Sequence, residues 1–266
     1  MKRFASGLSK CWIDGLYLCL LPVALLGLWW ILCAMGLVNA YLVPSPQKVG
    51  SAWLDLLQRG ELGRHIGISL YRVFGGYGIS VCLALPLALM FHYSPRLRKL
   101  FHGILEFFRS VPPLAMIPLL ILWLGIGEAS KLAVIVLATF FPVFLNALGG
   151  FDSMDGRWLE LSRSLELGFF RHLRWILVPA ALPQLVTGFR LGFGYAWRAL
   201  LGAELFASAA GLGYLISDAQ EMARIDQVFA GILTIGFLGL LFDALFRALA
   251  KAISTDPEDR NWGANG

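Results

Sequence analysis

The chain has 266 residues, of which 58% are hydrophobic and only 15% are charged, and its mean hydropathy is +0.70. Soluble domains carry about 25% charged residues, so this composition excludes an ordinary soluble protein and indicates one that lies in a membrane. The net charge of +5 comes from basic residues in short stretches between apolar segments, a pattern typical of topology signals and anionic lipid contact rather than nucleic-acid binding.

Six apolar segments follow along the chain, and each is long enough for the ~20 residues that a spanning helix needs. They cover residues 14–38, 66–91, 101–125, 129–149, 184–207 and 227–250. The first has too long an apolar run for a cleaved signal peptide, so we expect it to remain as a span. Pro112, Pro113 and Pro118 interrupt the third, which is tolerated where neighbouring groups satisfy the freed carbonyls. The sequence predicts an all-α membrane protein with about six transmembrane helices.

Basic residues near the ends of these segments predict the orientation of the chain. Twelve lie before the first segment, between the second and third, between the fourth and fifth, and after the sixth, whereas five lie on the alternate side. Positive residues accumulate on the cytoplasmic side of a membrane. We therefore expect a cytoplasmic N-terminal segment at residues 1–13, a transmembrane domain at 14–250 with a cytoplasmic loop at 152–183, and a cytoplasmic tail at 251–266.

The cytoplasmic loop contains a predicted amphipathic helix, with Asp155 as its N-cap and Gly168 as its stop. Intervals of three and four place four apolar side chains on one face: Trp158, Leu161, Leu165 and Phe169. Charged side chains can pair along the opposite flank: Arg157, Glu160, Arg163 and Glu166. Such a helix is too polar to span a bilayer, and its apolar face is available to a partner. The alternative is a surface helix that only orders the loop.

Motifs for catalysis and for ligand binding are absent from the sequence. There is no G-x-x-x-x-G-K-[ST] loop for nucleotide and no H-E-x-x-H, and the four histidines lack metal-ligand spacing. The cysteines Cys11, Cys19, Cys33 and Cys82 lie in or beside apolar segments without C-x-x-C spacing and are interpreted as packing residues. We therefore expect no enzymatic activity, no cofactor and no metal in this chain.

The cytoplasmic loop resembles the Glu-Ala-Ala loop of permease subunits in bacterial ABC importers. Glu160, Leu161 and Ser162 stand at the Glu-Ala-Ala positions, and residues 178–183 match the closing Leu-Pro segment in spacing. The family pattern has a glycine four residues after the second alanine, where this chain has Glu166. Because the nearest glycine is Gly168, we expect it to make the turn, or the loop to dock differently.

The resemblance extends over residues 42–249 and is nearest to the aliphatic sulfonate, taurine and nitrate group of these permeases. It is carried by V-P-S-P at 43–46, R-S-V-P-P at 109–113, P-L-L-I-L-W-L-G-I-G-E at 118–128 with Lys131 following, Glu204, and G-L-G-Y at 211–214. Their order and spacing identify the family. The substrate within the group stays open, with a heterocyclic vitamin precursor as the alternative to an anion.

The resemblance implies the fold of a type I ABC importer permease in a bacterial inner membrane, with separate subunits sharing the work. Two permease subunits, expected to be a homodimer, would form the path through the lipid bilayer. Two ATPase subunits would bind the loops, and a periplasmic or lipid-anchored binding protein would deliver the solute. The residues expected to couple to the ATPase are Trp158, Glu160, Leu161, Ser162, Leu165, Glu166, Gly168, Phe169 and Pro183.

Charged residues in or near the apolar segments are costly to bury and are candidates for the solute path. Arg72, Glu106 and Asp243 lie near segment ends and are expected at the interface or snorkelling toward it. Arg198 lies midway along the fifth segment, where its guanidinium could bind an anionic solute or form an ion pair with Glu204 or Glu106. The candidates for the path are Arg198, Arg109 and Glu204.

Two other classes of protein fit the apolar segments. A self-sufficient channel or secondary transporter needs only the spans and a few membrane charges, although no inverted repeat is visible. A membrane scaffold would use the loop to recruit a partner without transport. Co-purification with an ATPase separates the importer from both.

Overall fold

The structure, a computed structural model, describes the backbone of residues 20–253 and all their side chains except those at positions 159, 161, 163, 207, 252 and 253. Over this range every regular element is helical. The expected N-terminal segment at 1–13, the start of the first apolar segment at 14–19 and the tail from residue 254 lie outside the described residues. The chain divides into two compact units.

The first unit combines the chain up to Leu62 with Ile216–Leu233. It contains α1 (Leu20–Ala34), α2 (Pro46–Gln58) and the adjoining parts of α10 (Leu212–Glu221) and α11 (Ile225–Ile253). Trp29 stacks on Phe229 with ring centroids 5.7 Å apart, and its indole N–H donates to the Pro44 carbonyl at 3.2 Å. Aromatic stacking and this hydrogen bond tie α1 to α11 and to the chain that leads into α2.

Helix α2 is an element that the apolar segments did not predict. Ser45 caps it by accepting a hydrogen bond from the Lys48 N–H at 3.5 Å, and Pro46 opens the helix where no N–H is needed. Val49, Ala52 and Leu56 recur at intervals of three and four and are buried. The helix is therefore amphipathic, and one of its faces is buried. Its 13 residues are too few to span a bilayer.

The second unit combines residues 63–215 with the chain from Thr234 onward. Its elements are α3 (Glu61–Tyr93), α4 (Pro95–Ser110), a 3₁₀ turn (Pro113–Met116), α5 (Ile117–Leu124), α6 (Glu128–Asp152), α7 (Gly156–Ser164), α8 (Phe169–His172), a π turn (Leu173–Leu177), α9 (Val178–Ala207) and the remainder of α10 and α11.

Four helical stretches are long and apolar enough to cross a membrane: Glu61–Tyr93, Glu128–Asp152, Phe169–Phe206 and Ile225–Lys251. They cover the second, fourth, fifth and sixth predicted segments, although the fifth begins at Phe169 rather than at 184. The number rises to five if the bent pair α4 and α5 forms one span. The described part of the first segment, Leu20–Ala34, is shorter than a span. The prediction of several membrane helices is confirmed, whereas the count of six stays a prediction.

The third predicted segment is not one straight helix. Helices α4 and α5 meet at an angle of 85° across Val111 and Pro112. Val111 is extended, with φ −80° and ψ 122°, because a residue before proline is pushed out of the α region. Pro112 and Pro113 lack the N–H groups that would continue α4. The prolines read from the sequence thus break the segment rather than merely distort it.

The core of the second unit lies where α3, α6 and α9 meet. Its largest buried cluster contains Ala84, Ala88, Phe91, Val143, Phe144, Ala147, Leu148, Phe151, Leu177, Ala181 and Leu185. A smaller cluster joins α5 to the same two helices α6 and α9. Small residues bring the helices close: a Cβ on Gly192 would lie 2.6 Å from Val143 Cγ2, and one on Gly76 would lie 2.7 Å from Ile135 Cγ2. Small residues at such contacts let membrane helices approach closely.

Candidate functional site

Helix α7 begins where the sequence predicted. The Asp155 carboxylate accepts a hydrogen bond from the Arg157 N–H at 3.1 Å, and the Asp155 carbonyl accepts one from the Trp158 N–H at 3.0 Å. These contacts satisfy N–H groups that have no partner within the first turn of a helix. Arg157 also contacts the Asp155 carboxylate at 3.7 Å. Asp155 is therefore the N-cap.

The end of α7 is not where the sequence predicted. The helix stops at Ser164, four residues before Gly168. Gly168 instead precedes α8 as its N-cap, with φ −63° and ψ 159°, values that any residue can adopt. Leu165 therefore follows α7 and Phe169 begins α8, so the four predicted apolar side chains do not share one helix face. The side chain of Leu161 lies outside the described residues.

The turn between α7 and α8 lies at Glu166. Its φ of 48° is in the left-handed region, which glycine enters freely and other residues enter at a cost of roughly 1–2 kcal/mol. The N–H of the next residue, Leu167, donates to the Ser162 carbonyl at 3.1 Å and closes the turn. The expectation that Gly168 makes the turn is therefore wrong. The left-handed residue stays at the position where the family pattern has glycine.

A buried hydrogen bond joins the two short helices. The Ser162 Oγ on α7 lies 2.8 Å from the Nδ1 of His172, the last residue of α8. The π turn Leu173–Leu177 follows His172 and leads without interruption into α9. Pro183 consequently lies inside α9 rather than at the end of a loop. No motif in the sequence pointed to this contact, since His172 was one of four scattered histidines.

The loop presents an apolar ridge, which we define as Trp158, Leu165, Phe169 and Phe170. All four side chains are exposed, and Phe170 is 81% exposed. Glu160 is also exposed on α7. Phe169 packs against Tyr93 at 5.7 Å and against Phe170 at 5.5 Å. Exposed apolar side chains that gather on one loop are candidates for an interaction site. The intervals of three and four identified three members of the ridge but not Phe170, because Phe170 directly follows Phe169 and does not fall at those intervals.

A second constellation, the charged cluster, lies between α3, α6 and α9 and consists of Ser69, Arg72, Glu128, Lys131 and Glu204. The Arg72 guanidinium contacts Glu204 at 2.7 Å and Glu128 through two bonds of 2.6 Å. The Lys131 ammonium contacts Glu128 at 3.0 Å. Arg72 and Glu204 are 3% and 1% exposed. Each buried charge thus has an opposite charge within hydrogen-bonding distance, which burial requires.

The charged cluster also holds the start of α10. The Gly213 N–H donates to the Glu204 carboxylate at 2.9 Å, and the Leu212 N–H donates to the Ser69 hydroxyl oxygen at 2.8 Å. The Ser69 hydroxyl in turn donates to Glu204. Gly211 has φ 120°, and a Cβ there would overlap the Glu204 carboxylate. Only glycine can pass the carboxylate this closely.

The structure corrects the positions expected for two of the membrane charges. Arg72 is buried and paired instead of snorkelling to the interface, because α3 begins at Glu61 and places it well inside the helix. Glu204, a candidate for the solute path, has its side chain enclosed in the charged cluster. A sign of this pairing was available in the sequence, since opposite charges on two different spans require each other.

The other candidate path residues lie apart from this cluster. Arg109 pairs with Glu106 at 2.7 Å one helical turn away, and both are exposed. Arg198 is exposed on α9, with its guanidinium 5.9 Å from the centre of the Tyr195 ring. The two carboxylates expected as partners for Arg198 are engaged elsewhere, Glu204 with Arg72 and Glu106 with Arg109. Asp243 bridges Arg190 at 2.8 Å and Arg247 at 3.0 Å.

Comparison with known proteins reveals a family for this sequence. The family described as binding-protein-dependent transport system inner membrane component matches residues 80–255. The putative aliphatic sulfonates transport permease protein SsuC of Bacillus subtilis (strain 168) is 36% identical over 242 residues, covering 91% of this chain and 87% of that protein. The taurine transport system permease protein TauC of Escherichia coli (strain K12) is 34% identical, covering 86% of each chain. The nitrate import permease protein NrtB of Synechocystis sp. is 29% identical, again covering 86% of each.

The helices are also arranged as in a solved transporter. The methionine ABC transporter MetNI, in inward-facing conformations, has a chain that matches with a TM-score of 0.65 at 17% identity, covering 74% of this chain and 98% of that chain. This likeness supports the fold expected from the sequence. With its several apolar helices, the protein is a multi-pass inner-membrane protein. It belongs to the inner-membrane components of binding-protein-dependent transport systems, as an ABC transporter permease of the sulfonate, taurine and nitrate group.

Proposed function

We propose that this chain forms the path by which an ATP-driven importer passes a small anion, an aliphatic sulfonate, taurine or nitrate, through the membrane. Its loop at 152–183 couples that path to a separate ATPase subunit. The observation that carries the proposal is the exposed apolar ridge, which stands on a loop joined directly to the membrane helix α9. The names of the relatives support the class of solute.

The free energy for import comes from outside this chain, because its sequence has no P-loop. An ATPase that binds the ridge moves it when the ATPase pair closes on nucleotide. Since α8, the π turn and α9 are continuous, a displacement of the loop reaches the membrane without passing through a flexible linker. Exposed apolar side chains such as Trp158 and Phe170 supply the contact area for such a partner.

The proposed assembly contains two permease subunits, two ATPase subunits and a separate binding protein for the solute. Two copies of this chain face each other about a twofold axis, so that each ATPase subunit receives one loop. Both termini lie in the cytoplasm, as the distribution of basic residues predicts. A periplasmic or lipid-anchored binding protein delivers the solute from the opposite side. ATP hydrolysis takes place in the partner subunit, and this chain acts as a transport subunit.

Arg198 is the proposed contact for the anion inside the path. It is an exposed cation on a membrane helix, and Tyr195 orients it through its ring face. A guanidinium binds sulfonate-like oxygens through two parallel hydrogen bonds. Arg109 stays a candidate at the path as part of its exposed pair with Glu106. For Glu204, burial favours a role in holding α10 rather than contact with the solute.

Retention of the ATPase tests the coupling loop. We expect Leu165→Asp or Glu160→Arg to reduce the amount of ATPase that co-purifies with the tagged permease about tenfold or more. Leu165→Asp places a negative charge among the apolar side chains of the docking surface, and Glu160→Arg reverses the sign of a charge there. Leu57→Asp and Glu221→Arg make the same changes on α2 and α10 and should leave retention unchanged. Normal retention and normal solute-stimulated ATP hydrolysis in both loop variants would refute the coupling role.

Uptake of labelled taurine, ethanesulfonate and nitrate into proteoliposomes tests the path. Arg198→Gln should lower uptake of the transported anion about tenfold or more, since the solute loses a bidentate partner. Arg247→Gln removes another exposed guanidinium, from the ion pair with Asp243, and serves as the matched control. Uptake by Arg198→Gln equal to that of the control would remove Arg198 from the path.

Binding measurements on the partner binding protein decide the solute. Titration with sulfonates, nitrate and heterocyclic precursors compares the three classes directly. Tight binding of a heterocyclic precursor alone would refute the anion and leave the importer itself in place.

A further inference from the structure

Among the described side chains of α7, the buried one is a serine. Arg157, Trp158, Glu160 and Ser164 are exposed, whereas Ser162 is 5% exposed. A serine side chain has very little apolar area, so its burial contributes little hydrophobic free energy. Its buried hydroxyl therefore needs a hydrogen-bond partner. That hydroxyl contacts His172, which is itself only 8% exposed.

The contact between Ser162 and His172 is short and specific. Oγ and Nδ1 are 2.8 Å apart across ten residues of chain. Serine hydroxyls in helices usually bond to a carbonyl of the preceding turn, but this hydroxyl faces an imidazole on the next helix. Loss of either partner would leave the other as a buried polar group without its hydrogen bond, which costs more than the bond contributes when formed.

The backbone at both residues is tied to the same turn. The Ser162 carbonyl accepts the Leu167 N–H at 3.1 Å, and the His172 N–H donates to the Gly168 carbonyl at 2.9 Å. The first bond closes the turn, the second is the opening backbone bond of α8, and the side-chain bond between Ser162 and His172 closes the segment into a ring. This ring compensates for the left-handed strain at Glu166, because its bonds hold a backbone conformation that a glutamate does not favour.

His172 also marks the point where the loop becomes a membrane helix. The π turn begins at the next residue, and its Ile176 and Leu177 are buried in the core. π turns hold one extra residue per turn and occur often at functional sites, because they can shift their register. A displacement of α7 is transmitted through Ser162 to His172, the residue that directly precedes the π turn.

We propose that Ser162 and His172 are positioning residues that bind α7 to the start of α9 and transmit displacement of the ridge into the membrane. The inference rests on the proposed coupling function and deepens it. Neither residue belongs to the apolar ridge, since both side chains are buried. They act after the ATPase has docked. Variants that lack either side chain should therefore still bind the ATPase but import less anion for each ATP hydrolysed.

The position of Ser162 provides a variant that the helix accepts. Ser162 stands at the second alanine of the family pattern, so Ser162→Ala restores the residue that the pattern has there. Alanine has the highest helix propensity, and it removes only the hydroxyl. His172→Phe keeps a ring of similar size without Nδ1, whereas His172→Asn keeps a polar atom near the position of Nδ1.

The experiment compares ATP hydrolysed per anion imported by the complete transporter in proteoliposomes, with taurine, ethanesulfonate or nitrate as the probe. Ser162→Ala and His172→Phe should raise this ratio about fivefold, the change that corresponds to losing one buried hydrogen bond. The double variant should be no worse than the poorer single variant, because the two residues form one link. His172→Asn should return the ratio to within about twofold of the wild type. Ser164→Ala, on an exposed serine of the same helix, is the control.

Two further readouts separate this role from a structural one. The ATPase retained on the permease should stay within about twofold of wild type in Ser162→Ala, unlike in Leu165→Asp. Amide hydrogen exchange at residues 156–172 should increase while the thermal midpoint of the whole protein is unchanged. An unchanged ratio in Ser162→Ala and His172→Phe, with wild-type transport intact, would overturn this inference alone. A wild-type chain that retains no ATPase would overturn the proposed function and the inference with it.

Discussion

The two ends of α9 are held in opposite ways. Before α9, the turn at Glu166 is exposed and closed by single hydrogen bonds. After α9, the turn at Gly211 is packed against the buried carboxylate of Glu204. Both turns need a residue with positive φ, 48° at Glu166 and 120° at Gly211. The exposed turn at Glu166 accepts a side chain there, whereas the buried turn at Gly211 cannot.

This difference shows how one helix can combine mobility with anchoring. Arg72 and Glu204 are held by several bonds each, and separating them would leave buried charges unpaired. The turn at Glu166 is exposed and has fewer bonds, so we expect it to open locally at a lower cost than the charged cluster. Of the two ends of α9, the one at the charged cluster is therefore expected to be held more firmly.

Removing the buried carboxylate should have the largest effect. Glu204→Leu leaves one side of the Arg72 guanidinium unpaired in an apolar setting, so we expect a loss of about 3–5 kcal/mol in the free energy of unfolding. Denaturant unfolding in detergent micelles measures it. Glu106→Leu, in the exposed pair with Arg109, should cost less than about 1 kcal/mol. Equal losses in the two variants would show that the charged cluster is not the anchor.

Adding a methyl group at the buried turn should have an intermediate effect. Gly211→Ala brings a Cβ against the Glu204 carboxylate at a φ that alanine avoids, so we expect a loss of about 2–3 kcal/mol. The control is Gly194→Ala, because the space around Gly194 on α9 is open. It should be neutral or stabilising by up to about 1 kcal/mol. A well-folded Gly211→Ala with unchanged stability would contradict the close approach.

Placing glycine at the exposed turn should have the smallest effect and the opposite sign. Glu166→Gly relieves the left-handed strain, partly offset by the greater freedom of the unfolded chain, for a gain of about 0.5–1 kcal/mol. Glu160→Gly, at a helical position in α7, should lose about 1 kcal/mol. The thermal midpoints of the two purified variants should therefore move in opposite directions. A lower thermal midpoint in both variants would show that Glu166 does not carry the backbone strain.

The sequence predicted features that depend on local spacing. The long apolar helices, the cap at Asp155 and the proline break before α5 each follow from residues within a few positions of one another. The family pattern also located the left-handed turn, although the choice of Gly168 over Glu166 was wrong. That choice assumed that only glycine would take positive φ, whereas surrounding hydrogen bonds hold Glu166 there.

The features that sequence reasoning missed depend on contacts between distant residues. Arg72 pairs with Glu128 and Glu204, which are 56 and 132 residues away. Arg72 was expected at the membrane interface because it lies close to residue 66, the predicted start of the second segment. The helix in fact begins five residues earlier, at Glu61. His172 was unremarkable among the histidines until the turn brought it to Ser162. Such pairings arise from helix packing and turn geometry, which no local pattern records.

The glycine at position 192 affects how α6 and α9 can move against each other. Because Val143 of α6 lies over Gly192 of α9, sliding α9 along its axis would drive neighbouring side chains into the Val143 methyl group. We therefore expect shear between the two helices to be opposed, so that α6 and α9 tilt or rotate as a pair.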